Sequence, residues 1–500
     1  MSRAELGWLL AALLLVAAVH LLLLRPGHTW SDDFAMYLAH AQNLATGRPY
    51  GLTGYTANPW AVPGPATYPP VYPLLITPLV ARFGLDLAVL KQADVLMLVA
   101  GLGVGHLLLR ARVGRWPALV GVLLIGLGPY ALGFCDEVRS DPLFLLLFLW
   151  TLLLGEHWID RPPPAGAAAW GAGLALGLLA YLAYGTRSVG IVLLPAVAVA
   201  QLWRHRRLGG VLPVAVAVAV ALTAAQALFL HSDRGYAKLL TLAPHTLLFN
   251  GYSYLASLSL MWGNGLSAPW SFALRLAMFL VVLALAAIGF VQALRRRVTV
   301  LEIVCVFYLV PLLVYDVATM IQPRYMLPLF PIVLAYAWAG LAQAGARFGA
   351  TVRRALLMAL AGGAAIGHVS AWATLPRGEI RPGFTDEPGR AVLAAVRDQL
   401  PANAKLLVGR ARVFALYGHR ETVSPYNYRS DAQLWQLIRD ERITHLVLGL
   451  GPLAREMDFE HPDDLARFAA SQAAHLRPVF ANSDFAILAV TGLPAGSGTP

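Results

Sequence analysis

Charged residues are scarce in this chain, so the ones it keeps mark where chemistry can occur. Ser31-Asp32-Asp33-Phe34 opens a stretch with helical spacing of apolar residues that runs to Ala45. A serine or aspartate at a helix start often serves only as the N-cap. Two adjacent carboxylates can divide the work, one capping and one facing a cleft. A like-charged neighbour and a nearby membrane both raise a carboxylate pKa, which suits a general base. A second polar turn reads Cys135-Asp136-Glu137-Val138-Arg139-Ser140-Asp141-Pro142. Asp141-Pro142 can simply start a helix, with proline in its first turn. Asp141 and Glu137 can also orient an acceptor or bind a metal.

Two isolated cations stand apart. Arg187 lies in Gly185-Thr186-Arg187-Ser188, and Arg324 in Gln322-Pro323-Arg324-Tyr325. An arginine near a helix end often just snorkels. The sharper reading is a phosphate site, where arginine supplies a fork of donors and the helix end adds backbone N–H groups. Thr67-Tyr68-Pro69-Pro70-Val71-Tyr72-Pro73-Leu74 reads as an interfacial turn leading into a short helix. No Cys-x-x-Cys, His-x-x-x-His or glycine-rich phosphate loop is present. No cofactor is expected, and a divalent metal finds no support in any motif. His40, His231 and His245 are scattered and read as structural. Cys135 and Cys305 fall at opposite ends of their apolar runs, so no disulfide is expected between them.

The elements that must position these residues follow from composition. Of 500 residues, 13% are charged and 58% hydrophobic, against about 25% charged in an ordinary soluble domain. The mean hydropathy is +0.62. A soluble core cannot hide that much apolar surface, and disorder is excluded by the same numbers. Two cysteines exclude a disulfide scaffold. About eleven apolar runs have the length of a bilayer span: roughly 7–24, 87–109, 116–134, 142–158, 166–183, 188–203, 211–230, 272–294, 299–317, 325–345 and 353–374. The first is long for a signal peptide and lacks a small-x-small site, so an uncleaved helix is expected.

Lys and Arg set the direction. Arg110, Arg112, Arg115, Arg161, Arg204, Arg206, Arg207, Arg295, Arg296, Arg297, Arg347, Arg353 and Arg354 all fall at alternate junctions. With the N-terminus inside, every inner junction is basic. Residues 376–500 carry 14 Lys and Arg and 14 Asp and Glu, so the whole excess of +11 lies in residues 1–375. That distribution explains the pI near 9.8 without a nucleic-acid partner. Asp32, Asp33, Asp86, Asp136, Glu137, Asp141, Asp233 and Asp316 fall on the outer side. Glu5, Glu156, Asp160 and Glu302 fall on the inner side.

Three outer segments result: a first loop at about 25–86, a second at about 231–271, and a soluble segment from 376 to 500. In the last, Leu393–Leu400, Ala411–Tyr417, Leu434–Arg439 and Leu465–Ala474 read as helices. Lys405–Val408, His445–Leu448 and Phe485–Val490 read as strands. The expected fold class is therefore an α-helical polytopic membrane protein, residues 1–375, with a C-terminal soluble α/β domain, residues 376–500. That domain shows no compelling catalytic cluster and reads as a packing or acceptor-docking domain.

Taken together, these pieces resemble the GT-C class of integral-membrane glycosyltransferases, and most of all its family 39-like group of protein O-mannosyltransferases and lipid A aminoarabinose transferases. The acidic pair followed by a helix ending Asn43-Leu44-Ala45-Thr46-Gly47 is similar to their first-loop signature. So are Tyr68-Pro69-Pro70-Val71-Tyr72-Pro73-Leu74-Leu75, Arg139-Ser140-Asp141-Pro142-Leu143, Thr186-Arg187 and Arg324-Tyr325-Met326-Leu327-Pro328 to later motifs. The resemblance covers about residues 5–345. It implies a GT-C fold, a polyprenyl-phosphate sugar donor and transfer of a hexosyl or pentosyl unit on the outer face of a bacterial inner membrane. The acceptor would be a glycolipid, a polysaccharide or a protein.

By the same resemblance, a first-loop aspartate acts as the base. Spacing back from Asn43 selects Asp33, and matching the acidic pair as a unit selects Asp32. Asp33 stands where relatives usually carry glutamate. Asp141 and Glu137 join the catalytic set. Arg187, Arg324 and Tyr325 would bind donor phosphate, and Tyr68 and Tyr72 would line the first-loop cleft. The rival from another class is a transporter or flippase of a lipid-linked substrate. It would keep ionisable residues near the midplane and show inverted repeats, and neither is visible. A non-catalytic assembly or sensor protein would tolerate loss of Asp33 and Arg324. A metal-dependent oligosaccharyltransferase-like enzyme would be sensitive to chelators.

Overall fold

Long apolar runs become helices because only helices satisfy every backbone group inside lipid. The computed structural model describes residues 1–60, 64–160, 166–230, 240–262, 269–315, 323–426, 428, 430–451, 453 and 464–492. The positions of Arg161, His231, Asp233, Asp316 and Gln322 lie outside the described residues. The helices of the first three-quarters of the chain are α1 (Arg3–Leu23), α2 (Asp32–Thr46), α3 (Val71–Phe83), α4 (Leu87–Val113), α5 (Arg115–Gly126), α6 (Pro129–Cys135), α7 (Asp141–Asp160) and α8 (Ala167–Thr186). They continue as α9 (Leu193–His205), α10 (Val211–Leu230), α11 (Pro244–Trp262), α12 (Pro269–Arg296), α13 (Val300–Leu313), α14 (Phe330–Phe348) and α15 (Ala350–Ala373).

Among the described residues, seven helical segments are long and apolar enough to cross a membrane. They match seven of the expected spans. The other four expected runs fall on α5 with α6, on α7, on α13 and on α14. Large apolar side chains such as Leu22 and Phe229 are about as bare as in a free chain, at 83% and 80% exposed. Lipid is the solvent that tolerates them. The chain is a multi-pass membrane protein.

The chain folds into two compact units. The first comprises Met1–Leu24, Leu90–Ala225 and Leu239–Pro376; the second is assembled mainly from Arg25–Val89 and Arg377–Pro500.

In the first unit, the expected run 116–134 breaks at Leu127-Gly128-Pro129, where proline starts the short α6. The carbonyls freed by the break are used. His368 Nε2 lies 3.1 Å from the Leu124 oxygen, and Trp372 Nε1 donates to the Leu127 oxygen at 2.9 Å. Three of the four acids expected on the basic side are paired. Arg110 pairs with Glu5 at 2.7 Å, and Arg112 with Glu302 at 2.7 Å and Glu156 at 3.0 Å. Thr299 and Glu302 form a capping box at the start of α13, so one buried network ties α4, α7 and α13 together. The expected second loop, 231–271, instead contains α11. Its Asn250 amide donates to the carbonyls of Leu312, Leu313 and Tyr315 at 3.1, 2.9 and 2.8 Å. Helices α12 and α14 touch backbone to backbone at Gly289 and Gly340. A Cβ on Gly340 would stand 1.9 Å from the Leu285 oxygen.

The second unit holds a six-stranded sheet: β1 (Tyr55–Thr56), β2 (Lys405–Val408), β3 (Glu421–Val423), β4 (His445–Gly449), β5 (Leu476–Ala481) and β6 (Phe485–Val490). The order is β1-β3-β2-β4-β6-β5. The pairs β1·β3, β3·β2 and β2·β4 are parallel, whereas β4·β6 and β6·β5 are antiparallel. Helices α16 (Glu387–Asp398), α17 (Ala411–Gly418), α18 (Asp431–Asp440) and α19 (Asp464–Ser471) complete the α/β layer. The three expected strands and four expected helices lie on these elements. Strands β1 and β3 are too short to leave a pattern, and Pro478 masks β5, an edge strand that tolerates it. The first-loop residue Trp30 is 1% exposed. It stacks on Phe414 and tilts against Phe485, at ring distances of 5.5 and 5.2 Å.

Candidate functional site

Helix α2 starts at the acidic pair. Ser31 is its N-cap residue but makes no side-chain cap bond. Both carboxylates are therefore in the first turn, where the helix dipole favours negative charge. Gly47, in the left-handed region at φ 69°, ends the helix. Asn43 then fixes the return of the chain by donating to the Tyr50 and Leu52 carbonyls at 3.2 and 2.8 Å.

The two aspartates sit in different surroundings. Asp32 is buried, and the Tyr426 hydroxyl, which donates to the Gly409 carbonyl, lies 3.4 Å from its Oδ2. Its Oδ1 has no hydrogen-bond partner among the described residues. Burial raises the Asp32 pKa, opposed by the positive charges of Arg412 and Arg410 and reinforced by Asp33. The Asp33 side chain keeps 25% of its surface exposed. It accepts a hydrogen bond from the Tyr68 hydroxyl at 2.7 Å.

Arg412, at the start of α17, completes this cluster. Its Nη1 donates to the Tyr68 oxygen at 2.6 Å and lies 3.6 Å from Asp33 Oδ1. Its guanidinium stacks over the rings of Tyr55 and Tyr68, 5.1 and 5.2 Å from their centroids. Prolines 69 and 70 hold Tyr68 just ahead of α3. Tyr50 donates to the Tyr68 carbonyl at 3.0 Å. His40 stacks on Tyr50, and burial pulls its pKa down to about 4, so it is neutral at pH 7. Tyr72 is fully buried, edge-on to Tyr37.

The second cluster lies in the membrane unit. Asp141 is the first residue of α7 and is 3% exposed. Arg187, which caps the end of α8, bonds its Oδ1, and Arg324 Nη1 lies 3.7 Å from its Oδ2. Both guanidinium groups also face the Tyr325 ring, at 4.9 and 5.5 Å. Tyr308 donates to the Tyr325 carbonyl at 2.7 Å. Asp141 thus holds two guanidinium groups in place against one aromatic ring.

The polar turn before α7 is tied down separately. Glu137 pairs with Arg139, Lys91 lies 3.5 Å from Asp136, and Asp94 accepts from the Arg139 backbone N–H at 2.9 Å. Of the expected site residues, the fold thus groups Asp32, Asp33 and Tyr68 in one unit. It groups Asp141, Arg187, Arg324 and Tyr325 in the other. Among the described residues, no three His, Cys, Asp or Glu side chains are grouped to hold a metal ion.

Sequence reasoning missed Arg410, Arg412 and Tyr426. The signal was there: Gly409-Arg410-Ala411-Arg412 interrupts an apolar run, and an arginine buried among apolar residues needs a carboxylate or a ring beside it. It also missed Tyr254, buried on α11 and within electrostatic reach of Tyr325 and Arg187.

No family model matches the sequence, and no curated protein matches it either. Solved structures do. One is ArnT from Cupriavidus metallidurans bound to undecaprenyl phosphate, at TM-score 0.55 and 14% identity, with both chains covered over 100%. Another is the Archaeoglobus fulgidus oligosaccharyltransferase, at TM-score 0.58 and 13% identity, covering 90% of this chain and 70% of that one. A third is the arabinofuranosyltransferase AftD from Mycobacteria, at TM-score 0.53 and 16% identity, covering all of this chain and 42% of that one. The chain has the GT-C fold that these membrane glycosyltransferases share.

Proposed function

We propose that the chain is a glycosyltransferase that moves a sugar from a polyprenyl-phosphate donor to an acceptor hydroxyl or amine on the outer face of a bacterial cytoplasmic membrane. The observation that carries the reading is the acidic pair: one carboxylate buried, its neighbour partly exposed and held by Tyr68. A partly exposed, oriented carboxylate is what a general base requires. That difference in surroundings favours Asp33 over Asp32 as the base. The structures of ArnT with undecaprenyl phosphate and of an archaeal oligosaccharyltransferase with a dolichol-phosphate support a lipid-phosphate donor.

In the reaction, Asp33 takes the proton from the acceptor as its oxygen or nitrogen attacks the anomeric carbon. The bond from that carbon to the phosphate oxygen breaks, and the polyprenyl phosphate leaves with the electron pair. The leaving phosphate gains negative charge, which Arg187 and Arg324 are suited to stabilise. Direct displacement inverts the anomeric centre. The positive-inside pattern supports an N-terminus in the cytoplasm and a C-terminal domain outside.

The test uses purified protein in nanodiscs, radiolabelled undecaprenyl-phosphate sugars and a crude envelope extract. Wild type should transfer label. Asp33→Asn should lose transfer by about 100-fold or more while eluting normally in gel filtration. Transfer that survives Asp33→Asn but not Asp32→Asn would move the base to Asp32. Donor binding without transfer by the wild type would sink the enzyme reading and favour a flippase.

A further inference from the structure

Most arginines of the C-terminal segment are surface groups; Arg412 is 8% exposed and lies among aromatic rings. Burying a guanidinium is costly unless its charge is met. Here it is met by a chain of two hydrogen bonds. Arg412 donates to the Tyr68 oxygen, and the Tyr68 hydroxyl, its oxygen polarised by that bond, donates to Asp33. A hydroxyl that accepts from a cation becomes a better donor. Tyr55 and Tyr68 hold the guanidinium plane between them.

We propose that Arg412 is a positioning residue for the first-loop acids: acting through Tyr68, the C-terminal domain fixes the orientation and charge of Asp33. The proposal rests on the reading of Asp33 as the base. The elements facing the pair contribute Asp32 and Asp33 from α2, Tyr55 from β1, Tyr68 ahead of α3, Arg410 and Arg412 at α17, and Tyr426 after β3. His40, also on α2, is neutral above about pH 4. Among these groups, Arg410 and Arg412 supply the positive charge. The role requires that the C-terminal domain enter catalysis without touching substrate. It also explains why the pair tolerates a buried member, Asp32: Arg412 and Arg410 of the same unit oppose the cost of burying its charge.

The experiment measures initial rates of sugar transfer in nanodiscs, from the radiolabelled undecaprenyl-phosphate sugar used above, between pH 5 and 9. Four full-length variants are compared with wild type: Tyr68→Phe, Arg412→Gln, Arg412→Lys and Asp33→Asn. Tyr68→Phe keeps the ring and deletes only the hydroxyl that joins the two ends. It should lower kcat by about ten- to a hundredfold, the loss of one charge-assisted hydrogen bond, with donor KM within about twofold. Arg412→Gln should lower kcat at least as far and move the acid limb of the rate profile to higher pH. The sign follows from the lost cation, 3.6 Å from Asp33 Oδ1, since a positive neighbour favours an ionised carboxylate. Arg412→Lys keeps the charge and loses the fork, so it should restore the limb and only part of kcat.

Should Arg412→Gln fail to fold, Tyr68→Phe carries the test by itself. If Asp33→Asn is inactive while Tyr68→Phe and Arg412→Gln match wild type in kcat and pH profile, the positioning role is overturned and the base assignment stands. If Asp33→Asn is active, or if the wild type transfers nothing, both fall.

Discussion

Asp141 holds two arginines at once, and this decides how the cationic cluster should behave when it is cut. A phosphate entering the cluster competes with Asp141 for Arg187 and Arg324. Removing Arg324 takes away one cation and leaves the Arg187–Asp141 pair in place. Arg324→Gln is therefore expected to raise the KM for a polyprenyl-phosphate donor by about ten- to a hundredfold, the scale of one charge-assisted contact. Equilibrium binding of undecaprenyl phosphate to the variant checks it, and unchanged affinity would remove Arg324 from the phosphate site. These residues were legible because they are out of place. Charges are rare in the apolar part, and outer-side arginines run against the topology, so Asp33, Arg187 and Arg324 stood out. Arg412 did not. It sits where acids and bases are balanced and common, so its one signal, an interrupted apolar run, is easily passed over.

At the scale of elements, the membrane helices obey their sequence where it is uniformly apolar. They depart from it where a polar group finds a local partner. Helix α11 carries Asn250, Tyr254 and three serines and reads as loop. The Asn250 amide turns it into a packed helix by satisfying the free carbonyls at the end of α13. The break between α5 and α6 was marked by Gly128-Pro129, but its partners, His368 and Trp372, come from α15 and could not be seen in a linear pattern.

The close crossing of α12 and α14 supplies a test. Gly340→Val would push a side chain into the Leu285 carbonyl. Overpacking of this kind costs about 1–3 kcal/mol or more. A clear fall in the thermal midpoint in detergent is expected, against little change for Gly171→Val, which meets nothing within 4 Å.

At the scale of the whole molecule, the second unit is discontinuous in sequence. Trp30 fills the aromatic core of residues from the C-terminal segment, and the Asn58 amide donates to the Ser424 and Tyr426 carbonyls at 2.7 and 2.8 Å. Strand β1 pairs along β3, with Tyr55 opposite Thr422. Residues 377–492 expressed alone would leave that edge unpaired and that core short of a tryptophan. They are expected to lack a cooperative thermal transition, and covalent fusion of residues 25–89 should restore one. Near-ultraviolet circular dichroism of the two polypeptides on heating would decide it. A sharp melt from the C-terminal segment alone would show that the first loop is only a passenger.

The pairing of β1 with β3 also sets a clock. Asn58 and Ser424 are 366 residues apart. At about 5–20 residues per second, a ribosome needs roughly 20 to 70 s to make that stretch. The first loop leaves the ribosome early and must wait, with Trp30 unburied and Asp32 still in water, until residues 410–426 have been made. Contacts so distant in sequence form slowly even then. A nascent chain stalled between α15 and β3 therefore carries all the helices of the membrane unit and no assembled acid pair. The acid pair, in this reading, stays unassembled until β3 has been made.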